Sequence, residues 1–305
     1  MVRTILVPLD GSLLAERALS AAGRLARLAG ARVLLVRCAP PESAPEAGRT
    51  GPLAQAQAYL EQAALRLREQ GVGVETAVRA ASPVDGIVAE SAERHADLVV
   101  MSTHGRSGEG RWIYGSVAEG VLARGSVPTL LVRPNAVADD PLSRWRQRLL
   151  VPLDGSPLAE EALGPAAELA RLLDGTIELF RVLVTPPVAA EPLLAPPVLT
   201  AAARRVREDE ANEYLARIAA RLRADGLRVN ATVGWSGAPA DAILEACRRG
   251  AGMVVMATHG RTGLGRLLFG TVAFEIVRRG TLPVLMVRPS GLETAARAAD
   301  EVRSA

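Results

Sequence analysis

The feature of this chain that most constrains its fold is an internal repeat. Three blocks of the first half recur in the same order in the second half of the 305 residues. They are ILVPLDGS (5–12) repeated as LLVPLDGS (149–156), VVMSTHGRSG (99–108) repeated as VVMATHGRTG (254–263), and VPTLLVRP (127–134) repeated as LPVLMVRP (282–289). Blocks matched in one order indicate a tandem duplication, and a chain of this length is expected to form about two domains.

The repeat sets the expected domain boundaries. We predict a first domain over residues 1–135, a linker over 136–146, a second domain over 147–290 and a tail over 291–305. The second copy is longer by about eleven residues between its first two blocks, and the proline-rich stretch near 185–200 is the expected place of that insertion.

Each copy alternates short apolar runs with helical patterns. The run TILVPL at residues 4–9 is typical of a strand buried on both faces. Apolar residues then recur at helical spacing up to Gly30, which is placed to end that helix. Ser82 followed by Pro83 indicates the start of a later helix. Five strands joined by helical crossovers predict, in each copy, an α/β domain with a five-stranded parallel sheet and helices on both faces.

The unusual residues of the first copy fall where such a sheet binds ligands. Ligands lie beyond the carboxyl ends of parallel strands, where the strand order reverses. Asp10 follows the first strand, Cys38 ends the second, and a loop with glycines follows the fourth. We therefore expect a binding site at this edge of each sheet.

Composition narrows the function. Every basic residue is arginine, so neither a P-loop lysine nor a Schiff-base lysine is available. A net charge of +3 with only 3% aromatic residues argues against a nucleic-acid groove. The nearly uncharged stretch 183–202 carries too many prolines for a membrane span. Cys38 and Cys247 stand in different copies, and Arg3 leads directly into a strand pattern rather than a signal peptide, so we expect a cytoplasmic protein.

The loop after the fourth strand carries the strongest functional signal. In the first copy Gly105 is followed by nine residues and then by Gly115-Ser116, and in the second Gly260 is followed by nine residues and then by Gly270-Thr271. The second glycine of each loop opens a helix whose first N–H groups lack partners, which suits an anion. The alternative is that these glycines only serve tight turns.

At these residues the chain resembles the universal stress protein family in its tandem form. ATP-binding members carry G-x2-G-x9-G-(S/T), and both copies match this motif from Gly105 and Gly260 onward. The first glycine is replaced by a small residue in each copy, Ser102 and Ala257. The resemblance implies two Rossmann-like domains, each with strand order 3-2-1-4-5.

The resemblance also implies which residues contact ATP. In the first copy, Pro8 and Asp10 would lie by the adenine and ribose with Cys38 against the base, Met101 and Ser102 would line the opposite wall, and Gly105, Gly115, Ser116 and Val117 would hold the phosphates. The matching positions of the second copy are Pro152, Asp154, Val182, Met256, Ala257, Gly260, Gly270, Thr271 and Val272. A Mg²⁺ ion could accompany the phosphates, although no dedicated carboxylate cluster is visible in the sequence.

Several residues keep a second interpretation. Asp10 and Asp154 could instead cap the helix that follows each of them. His104 and His259 are the best candidates for acid–base chemistry, but ordering of the loop by hydrogen bonds is the favoured role, because no triad pattern accompanies them. The two sites are expected to differ, since Glu109 stands where the second copy has Leu264 and a carboxylate repels phosphates. The second site is therefore predicted to bind ATP more tightly.

Three functions remain open at this point. The leading hypothesis is an ATP-binding stress or signalling protein without fast catalysis, because the sequence offers no lysine and no paired carboxylates beside the loop. The alternatives are an ATPase or ATP-dependent transferase, and a nucleotide-free interaction scaffold. The resemblance further implies that the last strands, 128–133 and 283–288, lie side by side in an internal pseudo-dimer. Pairing of whole chains into a homodimer stays open.

Overall fold

The structure is a computed structural model in which two compact units are distinguished. The first comprises Met1–Leu142 together with Thr281–Ser290, and the second comprises Ser143–Gly280 together with Gly291–Ala305. The described residues are 1–39, 51–103, 115–133, 148–185, 200–259 and 270–290.

The first unit alternates strands and helices as its sequence predicts. Its elements are β1 (Thr4–Pro8), α1 (Leu13–Ala29), β2 (Arg32–Ala39), α2 (Pro52–Arg68), β3 (Val74–Ala80), α3 (Pro83–Glu93), β4 (Leu98–Ser102), α4 (Ser116–Arg124) and β5 (Thr129–Val132). The order β3-β2-β1-β4-β5 with parallel pairing confirms the predicted order 3-2-1-4-5.

Local sequence signals begin and end these helices. Ser12 caps α1, because its hydroxyl accepts the N–H of Ala15 at 3.1 Å, and Gly30 ends it in the left-handed conformation with φ 64°. Ser82 caps α3 and Pro83 occupies its first turn, as predicted. The central strand β1 is buried along Thr4–Val7, which explains its apolar composition.

The second unit repeats the same plan. Its elements are β6 (Arg148–Pro152), α5 (Pro157–Glu160), α6 (Leu163–Leu173), β7 (Thr176–Val184), α7 (Ala201–Ala224), β8 (Arg228–Ser236), α8 (Pro239–Arg248), β9 (Met253–Ala257) and α9 (Thr271–Arg279). The order β9-β6-β7-β8 with parallel pairing follows the predicted order as far as its fourth strand.

The last strand of the described residues belongs to the first unit. Strand β10 (Val284–Val287) pairs antiparallel with β5, with Val284 opposite Leu131 and Met286 opposite Thr129. The prediction that the two last strands lie side by side is thus confirmed. Both strands are fully buried, so their apolar side chains form part of the core.

None of the helices within the described part of the chain is both long and apolar enough to cross a membrane. The uncharged stretch that raised this question falls mostly on residues 186–199, outside the described residues.

Candidate functional site

A cleft of about 280 Å³ lies at the carboxyl ends of the strands in the first unit. We call it the first cleft. All of its predicted site residues within the described ranges line it, namely Pro8, Asp10, Cys38, Met101, Ser102, Gly115, Ser116 and Val117. Gly105 lies outside the described residues. The repeat and the parallel-sheet rule therefore predicted that residues more than a hundred positions apart in the chain would line one cleft.

One end of the first cleft is formed by the start of α4. The N–H of Gly115 donates to the carbonyl of Thr103 at 2.9 Å, which ties the helix start to the end of β4. Gly115 has no side chain to cap the helix, and no side chain in the described part of the chain caps it by a hydrogen bond. The following amides, from Ser116 onward, belong to the first turn, where the helix itself supplies no acceptors. This end of the cleft suits an anion.

The carboxylate of Asp10 also lines the first cleft. Its Oδ1 accepts the backbone N–H of Ser12 at 2.9 Å, and Ser12 in turn caps α1. The alternative in which Asp10 caps the helix is therefore wrong, because the serine two residues later takes that position. The carboxylate is held in a tight turn at the cleft wall, where it can accept hydrogen bonds from hydroxyl groups.

Cys38 forms part of the cleft wall next to α3. Its thiol lies 3.7 Å from the carbonyl oxygen of Pro83, and a side chain at Gly86 would clash with it at 2.5 Å. Burial raises the pKa of Cys38, while the nearby Arg79 opposes this shift. The thiol is therefore protonated at neutral pH and acts as a small apolar surface.

The second unit holds the corresponding cleft, with a volume of about 540 Å³, which we call the second cleft. All of its predicted residues within the described ranges line it, namely Pro152, Asp154, Val182, Met256, Ala257, Gly270, Thr271 and Val272. Gly260 lies outside the described residues. Asp154 repeats the turn of its counterpart, since its Oδ1 accepts the N–H of Ser156 at 2.9 Å, and Ser156 caps α5.

The start of α9 repeats the anion-binding geometry. Gly270 donates its N–H to the carbonyl of Thr258 at 2.9 Å and provides no side-chain cap. A Cβ atom added at Gly270 would meet that carbonyl oxygen at 3.4 Å, an ordinary contact, so the fold itself does not require glycine here. The absence of a side chain leaves space in the cleft in front of the first amides of α9.

His259 lines the second cleft, and its Nδ1 lies 3.1 Å from the hydroxyl oxygen of Thr258. This hydrogen bond supports the role in loop ordering that the sequence favoured. His104, Glu109 and Leu264 lie outside the described residues.

A glycine, an arginine, a tyrosine and a glutamate brace the aspartate turn of each unit. Gly11 has φ 87°, and a Cβ atom there would approach the guanidinium of Arg37 at 3.2 Å. That guanidinium stacks on Tyr59, 4.7 Å from the ring centre, and the tyrosine hydroxyl donates to Glu16 at 3.0 Å. The corresponding residues of the second unit are Gly155, Arg181, Tyr214 and Glu160.

Sequence reasoning missed two charged residues of the second cleft. Arg207 and Glu210, on the first turns of α7, line it. Alternating acidic and basic residues, as over 204–223, are typical of a solvated helix surface. A comparison of the two copies could have indicated these residues. At the spacing that relates the later repeat blocks, Arg207 and Glu210 correspond to the uncharged Pro52 and Gln55 of the first copy.

The described residues of the two clefts do not include a cluster of metal ligands. Within the described ranges, no group of three or more histidine, cysteine, aspartate or glutamate side chains is placed to hold a metal ion. A Mg²⁺ ion at either cleft would depend on phosphate oxygens for its ligands, as expected for this cation.

Fold and clefts together define a tandem α/β protein with one ligand cleft at the strand ends of each unit. The sequence matches the Universal stress protein family over residues 1–133 and 146–288. A universal stress protein of Mycolicibacterium smegmatis is 28% identical over 224 residues, covering 72% of this chain and 70% of its own. One from Methanocaldococcus jannaschii is 28% identical over 143 residues, covering 47% of this chain and 82% of its own.

A solved structure shows the same fold over nearly the whole chain. The crystal structure of a universal stress protein from Archaeoglobus fulgidus DSM 4304 superposes with a TM-score of 0.67 at 20% identity, covering 93% of this chain and 98% of its own. The chain belongs to the universal stress protein family, with two family domains in tandem.

Proposed function

We propose that this protein binds ATP in both clefts and serves as a stress or signalling module that reports nucleotide occupancy to a partner. The observation that carries the proposal is a helix start without a side-chain cap among the described residues, which lines the same cleft as a carboxylate in each unit. Phosphates fit the amides of α4 and α9. The carboxylates of Asp10 and Asp154 would accept hydrogen bonds from the ribose hydroxyl groups, because a carboxylate is a hydrogen-bond acceptor and repels phosphates.

The same residues support a module without fast catalysis. The chain has no lysine to neutralise charge on a transferred phosphoryl group. His259, the described candidate for acid–base chemistry, hydrogen-bonds to its neighbour Thr258. An ATPase or transferase would require turnover at roughly 1 per second, as in typical enzymes. A Mg²⁺ ion would arrive with the phosphates, and the free thiols of Cys38 and Cys247 favour the cytoplasm.

The two family domains of this chain would pair with each other. Antiparallel pairing of β5 with β10 supports an internal pseudo-dimer of the two copies. Association of two chains into a homodimer would be an additional step, which sedimentation of the purified protein would reveal.

Mass spectrometry of the natively purified protein tests the proposal. We expect bound adenine nucleotide at up to two equivalents per chain, and slow phosphate release in a separate assay. Protein that carries no nucleotide and takes up none from excess ATP would favour the scaffold alternative. Multiple turnover at enzymatic rates would favour the ATPase or transferase.

Cys38 offers a native probe of the first cleft. In a Cys247→Ser background, we expect ATP to protect Cys38 from iodoacetamide, because the nucleotide would cover the wall that the thiol forms. Burial raises the pKa of this thiol, so labelling without ATP should be slow at pH 7 and should accelerate above the pH range of ordinary thiols. Labelling followed by mass spectrometry gives both rates.

The matched control is the second cleft, where Val182 occupies the position of Cys38. The variant Gly270→Val should therefore leave the protection of Cys38 unchanged, whereas Gly115→Val should abolish it. Equal labelling with and without saturating ATP would contradict binding in the first cleft.

A further inference from the structure

The second cleft extends beyond the region that its counterpart occupies. Within the described ranges, the first cleft takes its residues from β1, β2, α3, β4 and the starts of α1 and α4, and none from α2. The second cleft reaches Val184 at the end of β7 and continues to Arg207 and Glu210 on α7. This extension accompanies the larger volume, about 540 Å³ against about 280 Å³.

Arg207 is positioned at this extension by an aromatic ring. Its guanidinium stacks on Trp235, 5.4 Å from the ring centre, while Arg204 stacks on the same ring at 4.7 Å. The indole N–H of Trp235 donates to Glu208, which fixes the ring. A guanidinium stacked in this way keeps its in-plane N–H groups available for an acceptor.

A second guanidinium also lines the second cleft. Arg181 stacks on Tyr214 at 4.8 Å and lies 2.9 Å from the position that a Cβ atom of Gly155 would take. Asp154, the residue proposed to accept ribose hydroxyl groups, directly precedes that glycine. Arg181 therefore stands on the ribose side of the cleft. Arg207 lies on the same helix as Tyr214, two turns nearer the helix start.

Within the described ranges, neither Arg181 nor Arg207 forms an ion pair with a carboxylate, although such pairs are frequent elsewhere on the surface. Glu210, one turn from Arg207, is likewise without an ion pair in the described part of the chain. Two guanidinium groups that face a cleft without a carboxylate partner suit an anionic group of the ligand.

We propose that Arg207, with Arg181, forms a subsite for a second phosphate carried on the ribose of a nucleotide bound in the second cleft. The inference rests on the proposed function, since it assumes that the 5′-phosphates occupy the start of α9. The ligand class is a nucleoside bisphosphate, with phosphate on a ribose hydroxyl as well as on the 5′ position. In dinucleotide-binding folds an arginine beside the ribose accommodates an added phosphate in the same way. The first cleft, with Pro52 at the corresponding position, would not select this group.

The test isolates the second cleft with the full-length Gly115→Val variant. Adenosine 3′,5′-bisphosphate, adenosine 2′,5′-bisphosphate and AMP are titrated by calorimetry, so that only the ribose phosphate differs. We expect one bisphosphate to bind about tenfold more tightly than AMP, as a charge-assisted hydrogen bond at a half-exposed arginine would give.

Neutralising Arg207 and Glu210 in turn should have opposite effects on this preference. Arg207→Gln should reduce the preference for the bisphosphate over AMP to about twofold or less, and Glu210→Gln should increase it, because a repelling carboxylate is removed. The matched control Arg205→Gln, an exposed residue of the same helix, should change neither affinity. With Trp112 and Trp145 replaced by phenylalanine, the fluorescence of Trp235 should respond to the bisphosphate and lose that response in Arg207→Gln.

Two results would overturn this inference. One is equal affinity for AMP and both bisphosphates, and the other is a preference that persists in Arg207→Gln. Either result would show that the arginine does not bind the phosphate on the ribose. ATP titrated into the same Gly115→Val protein reports separately on the proposed function. If ATP binds while the bisphosphate preference is absent, only the subsite fails; if no nucleotide binds, both proposals fail for this cleft.

Discussion

Replacing Gly270 by valine is expected to weaken ATP binding in the second cleft by about 100-fold. The added branched side chain would occupy the space in front of the first amides of α9, where the phosphates are proposed to bind. The loss of charge-assisted hydrogen bonds at this point corresponds to about 3 kcal/mol.

The fold itself should tolerate this substitution. Gly270 has φ −63° and ψ 143°, which any residue adopts, and among the described residues its added Cβ atom would meet no backbone atom closer than 3.4 Å. The less favourable helix cap costs at most about 1 kcal/mol. Calorimetric titration with ATP, together with thermal unfolding of the same samples, separates lost binding from lost folding. An unchanged ATP affinity in a folded Gly270→Val protein would contradict the proposed phosphate site.

Gly115→Val is the matched variant for the first cleft, since Gly115 has nearly the same backbone angles, φ −63° and ψ 135°. The two variants should differ in the ATP affinity that they lose. Glu109 stands in the first loop where the second has Leu264, so the first site should be the weaker one. Gly270→Val should therefore remove the tighter of two binding steps and Gly115→Val the weaker. Equal loss from both variants would contradict this order.

Replacing Arg79 by methionine is expected to destabilise the first unit by about 2–3 kcal/mol. Arg79 pairs with Glu90, whose side chain is only 4% exposed, and also with the exposed Glu93. Removal of the guanidinium would leave the buried carboxylate of Glu90 without its nearest cation. The remaining Arg94, 4.0 Å away, compensates in part, which keeps the loss below that of a fully isolated charge.

The second copy provides the control for this experiment. Glu245 corresponds to Glu90, but its pair with Arg248 is exposed, with side-chain exposures of 47% and 68%. Arg248→Met should therefore cost about 0–1 kcal/mol. Hydrogen exchange of peptides from β3 and α3 measures the local loss, and Arg79→Met combined with Glu90→Met should recover most of it. A double variant as unstable as Arg79→Met alone would show that the arginine acts through packing instead of charge.

Much of this architecture followed from the sequence because its signals are local or repeated. The helix ends at Gly30 and Ser82 depend on neighbouring residues, and the apolar runs fix strands that are buried on both faces. Parallel strands joined by helices must bring their carboxyl ends to one edge. For that reason the residues that the sequence assigned to the two sites, but not Arg207 and Glu210, could be placed before any contact was known.

Other features were decided only by packing between distant segments. Whether Asp10 or Ser12 caps α1 depended on the exact turn, and the charge pattern of α7 did not tell which side chains face solvent. Arg207 reaches the second cleft because α7 packs against β7 and β8, where Trp235 supports its guanidinium. The pairing of β10 with β5 likewise joins segments more than 150 residues apart. Local sequence fixes backbone conformation over a few residues, whereas such contacts depend on how whole elements fill the space between them.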